Sequence, residues 1–223
     1  MPRWPCELCG APAGRPGLCE GCHADMPWIA SACRLCARPL RASGTCGRCL
    51  RHGAPWLRAI APLAWSFPVD ALISRFKYGG ALHYGALLGR LLATHCRDRR
   101  PDGIVPVPLH RSRLAERGFN QALELARPAA SLLRVPILYD ACSRRIATPP
   151  QAGLAARQRY RNLQGAFHAS PCVQGRSLAI IDDVLTTGST AKALTMQLLG
   201  AGAAAVEVWA VARGGTTQGG VNV

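Results

Sequence analysis

The fold of this chain is decided by the stretch Ile180-Ile181-Asp182-Asp183-Val184-Leu185-Thr186-Thr187-Gly188-Ser189-Thr190. The predicted strand begins at Ser177, and its continuous apolar run is typical of a central parallel strand that is buried on both faces. The strand is predicted to end at Asp182, and a helix is predicted over 189–199. A buried strand, a short hydroxyl-rich loop and a helix therefore follow one another.

The loop between this strand and this helix has the chemistry of a ribose-phosphate site. The free N–H groups at a helix N-terminus attract an anion, and glycine lets the backbone close around a phosphate. Two adjacent carboxylates repel a phosphate, but they suit the vicinal hydroxyls of a sugar, or a Mg²⁺ held through the sugar and water. The candidate phosphate ligands are Thr186, Thr187, Gly188, Ser189 and Thr190, and the candidate sugar ligands are Asp182 and Asp183.

Single residues of this loop have ordinary structural explanations. Ser189 alone is a helix N-cap, and Asp182 alone is a solvated residue at a strand end. Two acids that follow an apolar run and precede Thr-Thr-Gly-Ser-Thr are a far less common combination. The sequence contains neither the Gly-x-x-x-x-Gly-Lys of a Walker A loop nor a Gly-x-Gly-x-x-Gly dinucleotide motif.

The chain after residue 55 alternates between extended and helical patterns. The predicted extended segments are 59–65, 103–107, 135–146 and 203–212, and the predicted helices are 69–78, 84–97 and 119–133. Pro128 is expected to kink or break the last of these helices. Alternating strands and helices indicate an α/β fold with a parallel sheet and helices on both faces. Ligands of such sheets bind beyond the carboxyl ends of the strands, here at 105–117 and 182–189.

Eight of the eleven cysteines form four Cys-x-x-Cys pairs at the start of the chain. The pairs are Cys6/Cys9, Cys19/Cys22, Cys33/Cys36 and Cys46/Cys49, and they are separated by 9, 10 and 9 residues. Two such turns brought together make a tetrahedral cage of four sulfurs, and closed Cys₄ cages are structural zinc sites. We therefore predict two structural Zn²⁺ ions.

Other uses of cysteine fit this pattern less well. A disulfide framework implies a secreted protein and an even number of cysteines, whereas the start of the chain lacks the apolar core of a signal peptide. One pair suits a redox motif, but four regular pairs do not. Iron remains compatible with the ligands, and the pairs are open to sequential or crossed use. His23 and His52 are not needed as ligands, and Cys96, Cys142 and Cys172 are expected to be ordinary core or surface residues.

The chain is strongly basic, with 27 Lys and Arg against 12 Asp and Glu and a formal net charge of +15. All of the basic residues except Lys77 and Lys192 are arginine, whose planar fork matches phosphate oxygens. A genome rich in G and C explains the same bias, so the charge indicates polyanionic partners without deciding the fold. No apolar run reaches the roughly 18 residues that span a bilayer. We expect a cytoplasmic protein without membrane insertion.

The stretch 180–190 closely resembles the phosphoribosyl pyrophosphate (PRPP) motif of type I phosphoribosyltransferases. In combination with the four Cys-x-x-Cys pairs, it is similar to the ComF family. Further segments that carry the resemblance are Arg75-Phe-Lys-Tyr-Gly-Gly80, Val105-Pro-Val-Pro108, Arg117-Gly-Phe-Asn-Gln121, Gln151-Ala-Gly-Leu154 and Arg161-Asn-Leu163. The resemblance implies an α/β phosphoribosyltransferase-like sheet flanked by helices, behind an N-terminal Cys₄ double zinc ribbon.

The resemblance also implies roles for individual residues. Residues 186–190 would hold the 5′-phosphate of PRPP, while Asp182 and Asp183 would face the ribose hydroxyls, with Asp183 the best candidate for a general base. The loop after the strand 105–107 would hold the pyrophosphate, with Mg²⁺ as a bridge. The arginine-rich connector 147–162 would be a lid over the substrate or a track for a nucleic-acid backbone. The residues implied at the pyrophosphate are Lys77, Arg111, Arg113, Arg117, Gly118, Asn120 and Gln121.

Two domains with a tail, and three interpretations of the function, follow as expectations. Residues 1–54 would form the zinc module, 55–213 the phosphoribosyltransferase-like domain and 214–223 a flexible tail. The function implied by the family is a PRPP-binding phosphoribosyltransferase of unknown acceptor, linked to DNA uptake and natural competence or to nucleotide metabolism. The alternative is an accessory protein without enzymatic activity that handles single-stranded DNA or senses PRPP. A plain zinc-ribbon adaptor with a relict domain is a third interpretation, and the zinc module would also offer a surface to protein partners.

Overall fold

A computed structural model describes residues 4–13, 17–146 and 165–215. The connector 147–162 and residues 216–223 of the tail lie outside the described residues. In chain order the elements are β1 (Trp4–Pro5), β2 (Pro12–Ala13), α1 (Glu20–Ala24), α2 (Gly47–His52), β3 (Arg58–Ile60), β4 (Leu63–Ala64), α3 (Val69–Tyr78), α4 (His83–Cys96), β5 (Gly103–Pro106), α5 (Arg111–Arg117), α6 (Gln121–Leu133), β6 (Cys142–Arg144), β7 (Phe167–Ala169), a 3₁₀ turn (Pro171–Val173), β8 (Ser177–Leu185), α7 (Ser189–Gly200) and β9 (Ala205–Arg213).

The centre of the fold is a five-stranded parallel sheet. Its order is β3-β9-β8-β5, and β4 pairs with β9 beyond β3. The predicted α/β fold class is therefore confirmed, and β8 is an interior strand of the sheet as the apolar run indicates. The strand is longer than predicted, because pairing with β9 continues beyond Asp182 to Leu185. The two acids thus lie within the strand, and the loop before α7 shrinks to residues 186–188.

Helices cover both faces of the sheet, and successive residues of β8 face opposite layers. Ala179 and Ile181 pack with α3, α4 and α6 in one buried cluster. Leu178 and Ile180 pack with α7 and the β6–β7 hairpin in another. This period-2 alternation requires apolar residues at every position of the strand, which explains its continuous apolar run.

The close packing of α4 on α6 depends on a glycine. A Cβ atom at Gly89 would lie 2.4 Å from the carbonyl oxygen of Leu125 and 2.5 Å from Cγ of Pro128. Of the kink or break expected at Pro128, the break does not occur, since α6 continues through the proline to Leu133. Packing of the proline ring against Gly89 holds this segment helical despite the one amide hydrogen bond that proline cannot make.

We expect Gly89→Ala to lower the free energy of unfolding by about 2–3 kcal/mol, because a backbone carbonyl must move to admit the methyl group. Chemical denaturation measures the change. The matched control is Gly200→Ala at the end of α7, where a Cβ meets nothing within 4 Å. That control is expected to leave stability unchanged or to raise it slightly, since alanine favours helix more than glycine does. Equal stabilities for the two variants would contradict the close approach of α4 to α6.

Among the described residues, none of the helices is both long and apolar enough to cross a membrane.

Candidate functional site

A cavity of about 580 Å³ opens at the carboxyl ends of β5 and β8, where the sequence predicts the ligand site. Its walls come from β8, the loop 186–188, the start of α7, the segment after β5, α5 and α3. Three predicted residues, Arg111, Gly118 and Asn120, do not line it. The predicted residues that do are Lys77, Arg113, Arg117, Gln121, Asp182, Asp183, Thr186, Thr187, Gly188, Ser189 and Thr190.

The two acids of β8 face different partners because adjacent strand residues point to opposite faces. Asp183 is buried and forms an ion pair with the ammonium group of Lys77 on α3. Asp182 lies on the face of β6, where its charge acts on Arg144. The backbone N–H of Asp183 donates to Oδ1 of Asp182 at 2.9 Å, which holds the first carboxyl group in place.

The environments of the two acids move their pKa values in opposite directions. Burial raises the pKa of Asp182 well above its usual range, and the neighbouring charge of Asp183 adds to this effect. Burial also acts to raise the pKa of Asp183, but the charge of Lys77 and a hydrogen bond from Asp182 outweigh it and lower that pKa. The two shifts run in opposite directions, so Asp182 is the member of the pair that takes up a proton first as pH falls.

The loop before α7 presents hydroxyl groups and backbone N–H groups to the cavity. Thr186 and Thr187 are exposed, and Oγ1 of Thr187 lies 2.8 Å from Oγ of Ser189. Gly188 has a φ of +78°, a left-handed conformation that glycine adopts without strain. The first helical hydrogen bond runs from Lys192 N–H to the carbonyl of Gly188 at 2.8 Å. Residues 188–191 line the cavity, so the N-terminal end of the helix dipole lies at the cavity and favours an anion there.

After β5 the chain enters the helix α5 at Arg111, whereas the sequence interpretation had only a loop there. His110 caps α5, with its Nδ1 accepting from the backbone N–H of Ser112 at 3.3 Å. A two-turn helix carries Arg113 and Arg117 on the side that lines the cavity. The cap is a histidine rather than one of the residues that usually begin a helix, so sequence pattern alone did not indicate it.

The end of α5 shows which predicted residues line the cavity and which lie behind it. Arg117 donates to Oε1 of Gln121 at 2.7 Å and lies over the ring of Tyr78, 5.2 Å from its centroid. Gly118 ends α5 in a left-handed conformation. Asn120 caps α6 through Ala122 N–H at 2.9 Å and donates to the carbonyl of Val107 at 3.1 Å. Gly118 and Asn120 therefore shape the chain behind the cavity.

Several residues that line the cavity carried no role in the sequence analysis. Arg144 on β6 was only one member of an arginine-rich region, and burial together with the nearby charge of Arg113 lowers its pKa. Trp65 follows β4, lines the cavity and is 39% exposed. His110 and Ser112 complete the wall near α5. Four cationic and two acidic side chains thus meet here, a balance that suits a ligand with several phosphate charges.

The eight paired cysteines form two separate cages in sequential order. The groups are Cys6, Cys9, Cys19 and Cys22, and Cys33, Cys36, Cys46 and Cys49, with the sulfur atoms of each group within 4.8 Å of one another. The Sγ atoms of Cys9 and Cys19, and those of Cys36 and Cys46, are 3.7 Å apart. Tetrahedral Zn²⁺ with bonds of about 2.3 Å places sulfurs roughly 3.8 Å apart, so both cages fit zinc.

Backbone N–H groups prepare sulfur atoms of both cages for a metal. Cys22 N–H lies 3.5 Å from Sγ of Cys19, and Cys46 N–H lies 3.3 Å from Sγ of Cys33. Burial acts to raise the pKa of Cys6 and of Cys33, but such hydrogen bonds outweigh this effect and lower both pKa values to about 6. Thiolates are the form that binds metal. As expected, Cys96 and Cys142 are buried outside the cages and Cys172 is exposed.

Comparison with known proteins agrees with both halves of the chain. Residues 1–50 match the model of the double zinc ribbon domain. The chain is 38% identical over 218 residues to DNA utilization protein YhgH of Escherichia coli K12, across 93% of this chain and 96% of that protein. It is 33% identical over 208 residues to competence protein F of Haemophilus influenzae, across 88% and 90%. The chain belongs to the ComF family. The ComF resemblance seen in the sequence is thereby confirmed.

The ComF chain also resembles solved structures of phosphoribosyl enzymes. Glutamine PRPP amidotransferase from Bacillus subtilis, complexed with ADP and GMP, has a TM-score of 0.40 and 19% identity over 56% of this chain. The ComF chain spans only 25% of that amidotransferase chain. Purine phosphoribosyltransferase from Pyrococcus horikoshii has a TM-score of 0.36 and 16% identity, over 56% of this chain and 70% of its own.

Proposed function

We propose that this protein binds PRPP, with Mg²⁺, in the cavity at the carboxyl ends of β5 and β8. The observation that carries the proposal is the meeting of three features in one cavity of about 580 Å³. A hydroxyl-rich helix N-terminus suits a phosphate, a pair of carboxyl groups suits a ribose diol, and a group of cations suits a pyrophosphate. PRPP carries these three chemical groups in that order.

Each part of the ligand has a candidate set of residues. Residues 186–190 would bind the 5′-phosphate through backbone N–H and hydroxyl groups. Asp182 and Asp183 would accept hydrogen bonds from the ribose 2′- and 3′-hydroxyls. Arg113 and Arg117 would bind the pyrophosphate, and Lys77, which pairs with Asp183, also lines the cavity.

The residues present also fit a magnesium ion delivered with PRPP. Carboxylate oxygens are the protein ligands that Mg²⁺ prefers, and the ion commonly keeps several waters and phosphate oxygens. Asp182 is the better candidate, because Lys77 already engages the carboxylate of Asp183. The bound ion would neutralise charge on the leaving pyrophosphate.

The reaction that this site supports is displacement at the anomeric carbon of PRPP. An acceptor nucleophile forms a bond to that carbon as the bond to pyrophosphate breaks, and the nucleophile loses a proton. Arg113, Arg117 and Arg144 would stabilise the charge that develops on the leaving group. The lowered pKa of Asp183 suits it to hold the ribose hydroxyls rather than to remove a proton. Its neighbour Asp182, with a raised pKa, is the better acid–base group.

Calorimetric titration of PRPP and Mg²⁺ into the zinc-loaded protein tests this proposal. We expect micromolar binding, weakened about a hundredfold or more in the double variant Asp182→Asn/Asp183→Asn, because hydrogen bonds to charged groups are lost. The matched control is Asp140→Asn, which removes an exposed acid outside the cavity and should bind like the wild type. A zinc-loaded wild type that does not bind PRPP would overturn the proposal.

A second candidate function is the handling of single-stranded DNA without catalysis. The formal net charge of +15 favours it, and the relatives named for DNA utilization and competence support it. Binding of a labelled single strand should then weaken steeply with salt, because each phosphate contact releases counterions. Salt-independent or absent binding would count against this function.

We also propose that residues 1–54 and 55–213 form two domains and that 214–223 form a tail. A cytoplasmic location is a further proposal. The composition change after residue 55 and the zinc ribbon match over residues 1–50 support the first boundary. At the second boundary, after residue 213, Gly214 lines the cavity, and its N–H donates to the carbonyl of Leu185 at 3.0 Å. The zinc module remains the candidate surface for protein partners.

A further inference from the structure

The second zinc cage hydrogen-bonds to the sheet domain through consecutive backbone carbonyls. Residues 34–36 lie in the first Cys-x-x-Cys turn of this cage, and each of their three carbonyl oxygens accepts a hydrogen bond from beyond the zinc module. The pairs are Ala59 N–H to Arg34 at 2.9 Å, the Trp56 indole N–H to Leu35 at 2.6 Å, and Nε of Arg213 to Cys36 at 2.7 Å. Such a row of acceptors keeps its geometry only while the turn is held in its metal-bound shape.

Two of these three donors also support the loop 186–188 from beneath. The Trp56 ring lies against Gly188, where a Cβ atom would be 3.2 Å from the ring. The same ring belongs to a buried cluster with Leu185 and Ala191, on either side of the loop. Arg213 is 95% buried, and its guanidinium donates to the carbonyl of Leu185 at 2.8 Å. One layer of side chains therefore touches the zinc turn on one side and the loop on the other.

The first zinc cage lies against a different part of the protein. Trp28 donates its indole N–H to the carbonyl of His23 at 2.8 Å, directly after the last cysteine of that cage. Its ring stacks on His95 of α4, with the centroids 4.9 Å apart. Each tryptophan thus donates its indole N–H to a backbone carbonyl in or next to one of the two cages. The ring of Trp28 packs on α4, whereas the ring of Trp56 packs on the loop.

We propose that Trp56 and Arg213 are positioning residues, through which the second zinc turn sets the geometry of the loop 186–188 for its phosphate ligand. Loss of order in this turn would break the hydrogen bonds of the indole and the guanidinium to the turn. The loop would then lose the fixed side chains that pack against it. The inference rests on the proposed function, since it takes the loop to be the 5′-phosphate site. It predicts that the second cage, and not the first, controls binding of that phosphate.

Trp56→Phe tests the proposal, with Trp28→Phe as the matched control. Both variants keep an aromatic ring and lose one indole N–H to a zinc module carbonyl. Zinc content should remain two per chain in both. We expect Trp56→Phe to weaken ribose 5-phosphate binding about fivefold, the factor that corresponds to one lost hydrogen bond. Binding of inorganic pyrophosphate, at the other end of the cavity, should not change. Trp28→Phe should leave both ligands unaffected.

A change in ribose 5-phosphate binding without a change in pyrophosphate binding distinguishes a positioning role from a merely structural one. A general loss of stability would weaken both ligands, or would affect both variants alike, and either result overturns the proposal. Hydrogen exchange of residues 185–192 in the ligand-free protein is the second readout, and it should be faster in Trp56→Phe alone. If the wild type binds neither PRPP nor ribose 5-phosphate, the proposed function fails. Hydrogen exchange then still tests whether the second zinc turn sets the geometry of the loop. Faster exchange in Trp56→Phe alone supports this proposal, and equal exchange in the two variants overturns it.

Discussion

Cys33→Ser is expected to lower the zinc content from two ions per chain to one and to unfold the second ribbon. Cys33 is fully buried, and its sulfur accepts a hydrogen bond from Cys46 N–H at 3.3 Å. Serine offers a shorter, harder oxygen in place of a thiolate, so the cage loses a ligand that zinc prefers. The binding free energy of a structural zinc site is on the order of 10 kcal/mol, and in so small a module it is folding free energy.

Native mass spectrometry and atomic absorption measure the ion count, and circular dichroism with thermal melting measures the unfolding. The control is Cys172→Ser, which removes an exposed thiol outside both cages and should keep two ions. Cys9→Ser should also leave one ion, because it disables the first cage independently. Two ions retained in Cys33→Ser, or a single ion in the wild type, would contradict the two-cage arrangement.

The parts of the fold that were predicted from the sequence are those that local pattern determines. The run 177–182 had to be an interior strand, because a strand with apolar residues on both faces needs a layer on each side. The spacing of the cysteines predicted the cages, but it left their pairing open. Sequential pairing emerges in three dimensions, where each cage closes on itself.

The parts that could not be predicted depend on contacts between distant segments. Arg144 reaches the cavity because β6 pairs with β7, and nothing in its immediate sequence indicates this. Lys77 was assigned to the pyrophosphate, but the path of α3 brings its ammonium group to Asp183. The hydrogen bond from Arg213 to Cys36 joins residues 177 positions apart. Such contacts follow from the packed fold, and periodicity within a short window does not encode them.

Single replacements of the two adjacent acids are expected to change stability in opposite directions. Asp183→Asn removes the partner of Lys77, whose side chain is 19% exposed. Breaking a buried ion pair leaves an uncompensated charge, so we expect a loss of about 3 kcal/mol at neutral pH. Asp182→Asn replaces a carboxyl group that burial disfavours as an anion, and the amide still offers an N–H to Asp183. We expect this variant to be more stable than the wild type, by more than the roughly 0.5 kcal/mol that surface substitutions cause.

The pH dependence of each difference follows from the direction of the pKa shift. The pKa of Asp183 is lower in the folded state, so its stabilising contribution is present above the unfolded value of about 3.9 and is lost as pH falls through the folded pKa. The pKa of Asp182 is higher in the folded state, so ionisation costs stability as pH rises from about 3.9 through the folded pKa. The advantage of Asp182→Asn should therefore grow as pH rises above about 4, while the deficit of Asp183→Asn should stay constant over the same range.

Urea denaturation of the ligand-free, zinc-loaded protein at several pH values between 4.5 and 8 measures both differences, with Asp140→Asn as the exposed control. If Asp182→Asn proves less stable than the wild type at every pH, the assignment of the raised pKa to Asp182 is wrong. A gain in stability accompanied by loss of PRPP binding would have a further meaning. A half-buried carboxyl group that costs stability in the free protein and is needed for the ligand is a feature of a binding site rather than of a structural core.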